Sequence, residues 1–288
     1  MRKIALFVLL SLIQVSPAAA AAHHTFWTVR GAHNTVYLLG SVHVLKPMDS
    51  ALPEEVQLAY TQSKTLVLEV NLHEVSAASM LVASMQYAAL PGDQTLEQVL
   101  GPDLYRDFVA HATSLGVDAE VLGGFQPWFA ALMLDEAEMS KLGFAAASGV
   151  DEQLAARARS DNKELIGLET VDDQFSIFAQ LSLDEQRRYM RFSLASLDSA
   201  AADIDATISA WRQGDTQTLE RLLNEDFKDF PDLRRRLTID RNRRWLEKIL
   251  PMLNANQDYL VVVGALHLVG SGGLIDLLQK QGLQVTQH

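Results

Sequence analysis

Five apolar residues in succession, Tyr259-Leu260-Val261-Val262-Val263, run into Gly264 and, three residues later, His267. A run of this kind, mostly β-branched, reads as a strand buried on both faces of a sheet. Gly270-Ser271-Gly272-Gly273 then supplies a flexible turn that opens a helix over Leu274–Leu278. Ligands of open α/β sheets sit beyond the carboxyl ends of the strands, so His267 stands where chemistry takes place. The same unit occurs once more, as Val36-Tyr37-Leu38-Leu39, Gly40 and His43, 224 residues upstream. A single histidine after a strand is ordinarily a hydrogen-bonded structural residue. Two in one context predict that the chain ends meet in one sheet and share one site.

The N-terminus differs in kind from the rest. Met1-Arg2-Lys3 is a basic head, Ile4 to Val15 is mainly apolar, and Ser16-Pro17-Ala18-Ala19-Ala20 resembles a cleavage site. The apolar run is too short for a membrane span of about 20 residues. Residues 1–22 therefore read as a secretory signal peptide, cut after Ala20 or Ala22, and 23–288 as one secreted or periplasmic domain. The chain has no cysteine, which excludes disulfides, a thiolate metal site and a lipoprotein anchor. Its formal charge is −12, and loss of Arg2 and Lys3 makes the mature chain more acidic still. That argues against nucleic acid or an anionic membrane surface as partner.

Along the mature chain, Phe26–Arg30, a turn at Gly31–Asn34 and Val36–Leu39 predict a hairpin. Pro53-Glu54-Glu55 opens a helix with proline and acids at its positive end. Thr65–Asn71 reads as a strand carrying one carboxylate, Glu69. From Glu74 to Lys141 the pattern is helical, and Gln126-Pro127 opens one of these helices. Another begins at Gly149, with Asp151 as its N-cap. Glu164–Glu169 is a short strand, Ser182-Leu183-Asp184-Glu185 a capping box, and Gly214-Asp215 a break. A last long helix covers Pro231 to Leu253, and a final strand is placed at Leu283–Thr286. The class is α/β (α+β): a central mixed β-sheet flanked by helices, with a large helical insertion between the N- and C-terminal strands.

Glu69 interrupts an apolar strand, where an unpaired carboxylate is costly to bury. One reading is a buried salt bridge with an arginine. The sharper one groups Glu69 with His43 and His267 around a metal ion, since two imidazoles and a carboxylate form a recurrent catalytic set. Arg241 interrupts the stripe Leu237, Trp245, Ile249 and so faces inward, toward an acid or a substrate oxyanion. Glu169 is a second-rank candidate, with a place near the cap of the next helix as its alternative. His23-His24 reads as a solvated tail, and His33, His73, His111 and His288 carry no distinguishing spacing.

The paired Gly40-Ser41-Val42-His43 and Gly264-Ala265-Leu266-His267, Glu69 within Leu66–Val70, Arg241-Asn242-Arg243-Arg244-Trp245 and Gly167-Leu168-Glu169-Thr170 resemble the motifs of the TraB/PrgY/GumN family, which includes the Tiki proteins. The resemblance covers nearly all of the mature chain. It implies a fold distantly like erythromycin esterase and, through the Tiki branch, a metal-dependent peptidase using manganese or cobalt; zinc would also suit the ligands. On this reading His43, His267 and Glu69 hold the metal and act with Arg241 in catalysis, Arg241 stabilising an oxyanion and Glu69 serving as ligand or general base. Two other readings stay open. The chain could sequester a peptide without cleaving it, as pheromone-inhibiting members do, or capture haem or iron through His43 and His267.

Overall fold

The protein is described here by a computed structural model covering residues 24–49, 51–196 and 200–288. The signal peptide read at 1–22 and His23 lie outside these residues. Six strands form one mixed sheet: β1 Phe26–Arg30, β2 Thr35–Ser41, β3 Thr65–Val70, β4 Glu164–Glu169, β5 Tyr259–Gly264 and β6 Val285–Gln287. Their spatial order is β4-β3-β5-β2-β1-β6. β1 and β2 are the antiparallel hairpin the turn residues predict, with Phe26 opposite Leu39. β2, β5, β3 and β4 run parallel. The last strand sits two residues beyond the predicted start and pairs with β1, Trp27 against Gln287.

The apolar run of β5 makes it the central strand, flanked by β2 on one side and β3 on the other. Leu260 and Val262 are fully buried in one helical layer, Val261 and Val263 in the other. Each such side chain contributes roughly 1.5–3 kcal/mol of transfer free energy. The first layer includes helix Glu54–Gln62, through Val56, Ala59 and Tyr60, and helix Val150–Ser160, through Val150, Leu154 and Ala158. The second includes helix Asp240–Met252, through Trp245, Ile249 and Met252, and helix Leu274–Lys280, through Leu274 and Leu278. The helical insertion builds a further core around Phe108, Leu134 and Met190.

Local signals set several helix starts. Pro127 occupies the first turn of helix Pro127–Lys141. The Ser182–Glu185 capping box forms, with Ser182 donating from its N–H and Oγ to Glu185. Asp151 is not a cap, however. Helix Val150–Ser160 begins after Gly149, and Asp151 turns its carboxylate toward β2 instead. The predicted final helix is also interrupted: Arg235–Ile239 forms a wide π-helical turn before Asp240–Met252.

Candidate active site

The parallel register places the ends of four strands side by side. Ser41 of β2 pairs with Gly264 of β5, and Val70 of β3 with Glu169 of β4. His43 follows β2 and His267 closes the short turn after β5. A Cβ on Gly264 would stand 3.3 Å from Glu69 Oε1, 3.4 Å from His43 Nε2 and 3.5 Å from His267 Cδ2. The three predicted residues therefore converge on the space left by a missing methyl group. Gly40, the matching glycine of the first unit, serves something else. A Cβ there would meet the backbone of Ala265 at 3.0 Å, so its role is close packing of β2 on the turn.

Helix Asp240–Met252 supplies the floor, with Arg241, Asn242 and Trp245 buried on its inward face. Arg241 Nε donates to Glu169 Oε1 at 3.0 Å, and Nη2 donates to Glu169 Oε1 at 2.6 Å and to Glu69 Oε2. Nη1 donates to the Leu237 carbonyl, in the π-helical turn, and to His267 Nε2, each at 3.0 Å. These partners account for all five guanidinium N–H groups. The salt-bridge reading of Glu69 is the one the fold displays, and Arg241 has no N–H left for an oxyanion. Glu169, ranked second in the sequence, is as central as Glu69, while the cap of the following helix is Thr170. Trp245 Nε1 donates to Glu169 Oε2 at 3.0 Å, and Gly264 N–H to Glu69 Oε1 at 2.7 Å.

Both imidazoles are fixed through Nδ1. His267 Nδ1–H donates to Asn242 Oδ1 at 2.7 Å, and Asn242 Nδ2 in turn donates to the carbonyls of His267 and Gly272. His43 Nδ1–H donates to Asp151 Oδ2 at 3.0 Å, and Asp151 Oδ1 accepts from Ser41 Oγ. An imidazole anchored through Nδ1 by an oxygen presents Nε2, which is how metal-bound histidines are commonly held. Burial and the neighbouring Arg241 depress His267 to about 3, so it is neutral. Burial also acts to lower His43, but the charge and hydrogen bond of Asp151 outweigh it and raise His43 to about 9. Its side chain is 64% exposed, and water screens part of that interaction. Burial opposes ionisation of Glu69, yet the facing charges of Arg241 and His43 and the Gly264 N–H hold its carboxyl well below the usual carboxylate range.

His43 Nε2 and Glu69 Oε1, both atoms able to ligate an ion, face the Cβ position of Gly264, whereas His267 turns Cδ2 toward it and Nε2 toward Arg241. Among the described residues no group of three His, Asp or Glu side chains is closed around a point as it stands. The Arg241 guanidinium occupies the Nε2 face of His267 and one oxygen of Glu69.

The site opens into a cleft of about 600 Å³ that includes His43, Glu69, His73, Asp151, Glu152 and Gln174. Sequence reasoning passed over Asp151 as a cap and His73 as unmarked, and it did not single out Asn242, Glu152 or Gln174. Asn242 adjoins Arg241 in the quoted motif, and that adjacency was the one available signal.

The sequence profile of the TraB/PrgY/gumN family matches residues 25–287, nearly the whole described chain. The chain belongs to this family. It is 25% identical over 267 residues to the uncharacterized protein YbaP of Escherichia coli (strain K12), covering 91% of this chain and 96% of that one. It is 22% identical over 272 residues to an uncharacterized protein of Treponema pallidum (strain Nichols), covering 90% and 81%. It is also 22% identical over 312 residues to the metalloprotease TIKI2 of Danio rerio, covering 90% of this chain but 60% of that protein. No solved structure matches the chain.

Proposed function

We propose that this chain is a metal-dependent hydrolase of peptides, exported after removal of residues 1–22 and acting as one domain in the periplasm or outside the cell. The observation that carries the reading is the convergence of His43 Nε2, Glu69 Oε1 and the His267 ring on the position a Cβ at Gly264 would take. That position lies at the carboxyl ends of parallel strands, and two of its neighbours, His43 and Glu69, line a cleft large enough for a peptide segment. The similarity to a protein named as a metalloprotease supports the class of reaction.

His43, Glu69 and His267 would hold the ion, with manganese or cobalt favoured by the resemblance and zinc also compatible. A divalent ion supplies Lewis acidity to a scissile carbonyl and lowers the pKa of water. The protein's own contribution is orientation. Asn242 and Asp151 fix the two imidazoles, the Gly264 N–H holds Glu69 Oε1, and Arg241 keeps Glu69 and Glu169 together without a net pair of uncompensated buried charges. Arg241 is thus a positioning residue. Gln174, 3.4 Å from Glu69 Oε2, gives the cleft side of that carboxylate a polar neighbour.

The test is incubation of the purified mature chain with a peptide library, with Mn²⁺ and with chelator, followed by mass spectrometry. Cleavage that needs the ion and is lost in His43→Ala and in His267→Ala is the expected result. Binding of peptides without cleavage under every ion tried favours the sequestering alternative. Cleavage at full rate in both variants removes the site assignment.

A further inference from the structure

From Val75 to Gly92 the sequence carries no charged residue, although 21% of the chain is charged. This stretch forms helix Ala77–Ala88, started by Ser76, whose Oγ accepts from the Ser79 N–H. A surface helix ordinarily turns its large apolar side chains to the core. Here the buried ones among the described side chains are alanines, Ala83 and Ala88. Leu81, Val82 and Met85 face water instead, at 62%, 64% and 51% exposure, and Leu72, just before the helix, is exposed as well. Among the described residues, four of the nine exposed large apolar side chains thus fall within fourteen positions, which makes them a patch rather than the usual scatter.

The patch begins inside the cleft of the candidate site. Leu72 lines that cleft together with Val70, Ala146, Ala147, His43 and Glu69. Three residues on, Val75 lines a second cavity of about 480 Å³, walled by Ala78, Val82 and Ala83 on one side and by Thr170–Asp172 on the other. Helix Val171–Ala179 joins the two: Val171 and Asp172 line the second cavity, and Gln174, within one turn of them, lines the cleft. The edge contact of Tyr87 with Phe175, at 6.4 Å between ring centres, holds helix Ala77–Ala88 against it. From Ala78 to Met85 the helix rises about 10 Å, the reach of about three residues of extended peptide. Asp172 is the one charged residue lining the second cavity, so a highly charged partner finds little there to pair with. A flat cover, such as a bilayer or a second copy, would meet the helix and leave Val70, Ala146 and Ala147 inside the cleft untouched. An extended apolar chain covers both.

We propose that the outer face of helix Ala77–Ala88, reached from the cleft through Leu72, is an exosite that holds an apolar stretch of a polypeptide substrate while a neighbouring bond lies at His43 and Glu69. The exosite selects by apolar area, several residues away from the bond to be cut. It rests on the hydrolase reading for the cut, whereas the binding itself needs neither an ion nor turnover.

The test separates binding from cleavage. Two fluorescent peptides of about twelve residues, blocked at both ends, serve as probes: one alternates leucine and valine with serine, and the other replaces leucine and valine by glutamine. Affinities for the mature chain are read by anisotropy in the presence of chelator. The expected result is binding of the apolar probe about tenfold or more tighter than the polar one. Val82→Glu and Met85→Glu each bring the two affinities close together, and both variants melt as wild type because the replaced side chains already lie in water. Leu58→Glu, at an exposed position on helix Glu54–Gln62 that lines neither cavity, keeps the full preference. In turnover with Mn²⁺, the helix variants raise KM for the apolar probe and leave kcat unchanged. Equal binding of both probes, no binding, or a preference that survives both helix variants overturns the proposal. Sedimentation showing a dimer, or capture by phosphatidylcholine vesicles, either abolished by Val82→Glu, gives the face to a different occupant and also overturns it. An apolar preference without turnover leaves the exosite standing and removes the hydrolase. Turnover without that preference does the reverse.

Discussion

Arg241 is the residue on which the buried chemistry depends. It pairs with two carboxylates, Glu69 and Glu169, each almost wholly out of water. Removing one partner of a buried pair typically costs about 3–5 kcal/mol, because an uncompensated charge remains. Arg241→Ala should therefore lower stability to denaturant by at least that order, and adding Glu69→Gln and Glu169→Gln should restore part of it. A loss below about 1 kcal/mol, the range of an exposed pair, would show that the cluster is open to water. Far from the site, Asp135 offers a second test at this scale. Burial raises its pKa, against the hydrogen bonds of Ser193 and Tyr189 that lower it. A carboxyl raised by folding favours the folded state below its unfolded value, and that contribution is lost as the pH rises through the folded value. Asp135→Asn should then melt above wild type at neutral pH. The gap should close as the pH falls below about 3.9, the ordinary aspartate value. An equal shift at every pH would contradict this.

At the scale of elements, the two Gly-x-x-His units look equivalent in sequence and are not equivalent in the sheet. β2 and β5 pair with Ser41 beside Gly264, so the two glycines are offset by one position and meet different neighbours. Gly40→Ala presses a methyl onto backbone at 3.0 Å and should cost about 1–3 kcal/mol in a chemical melt. Gly264→Ala meets mainly side-chain atoms at 3.3–3.5 Å and should leave the melt near wild type while weakening divalent-ion binding in calorimetry. The opposite pattern would mean that the cradle at Gly264 has no part in the site. The strands, their parallel pairing and the approach of His43 and His267 were legible because apolar runs, glycines and histidines are local signals. The role of Asp151 was not, since an acid near a helix start looks the same whether it caps the helix or turns away to hold His43. Nor was the full use of Arg241, whose acids lie 172 and 72 residues away in sequence. The stripe showed that Arg241 faces inward, but not that every N–H would be taken. The π-helical turn that supplies the Leu237 carbonyl carries no glycine or proline to announce it.

Across the whole molecule, the site exists only because the two ends of the described chain fold into one sheet. β2, near the start, and β5, near the end, lie side by side, and the helices between them close the cleft. Two anchored imidazoles and a carboxylate are then brought together around Gly264, with a guanidinium lying against two of the three. On the function proposed above, this point takes a divalent ion. Anomalous diffraction from crystals of the mature chain grown with Mn²⁺, recorded on both sides of the manganese edge, tests it most directly. One strong peak is expected within coordination distance of His43 Nε2, His267 Nε2 and a Glu69 oxygen, with Arg241 moved off His267. Crystals saturated with Mn²⁺ that show no peak there, and His267 still bonded to Arg241, would contradict it.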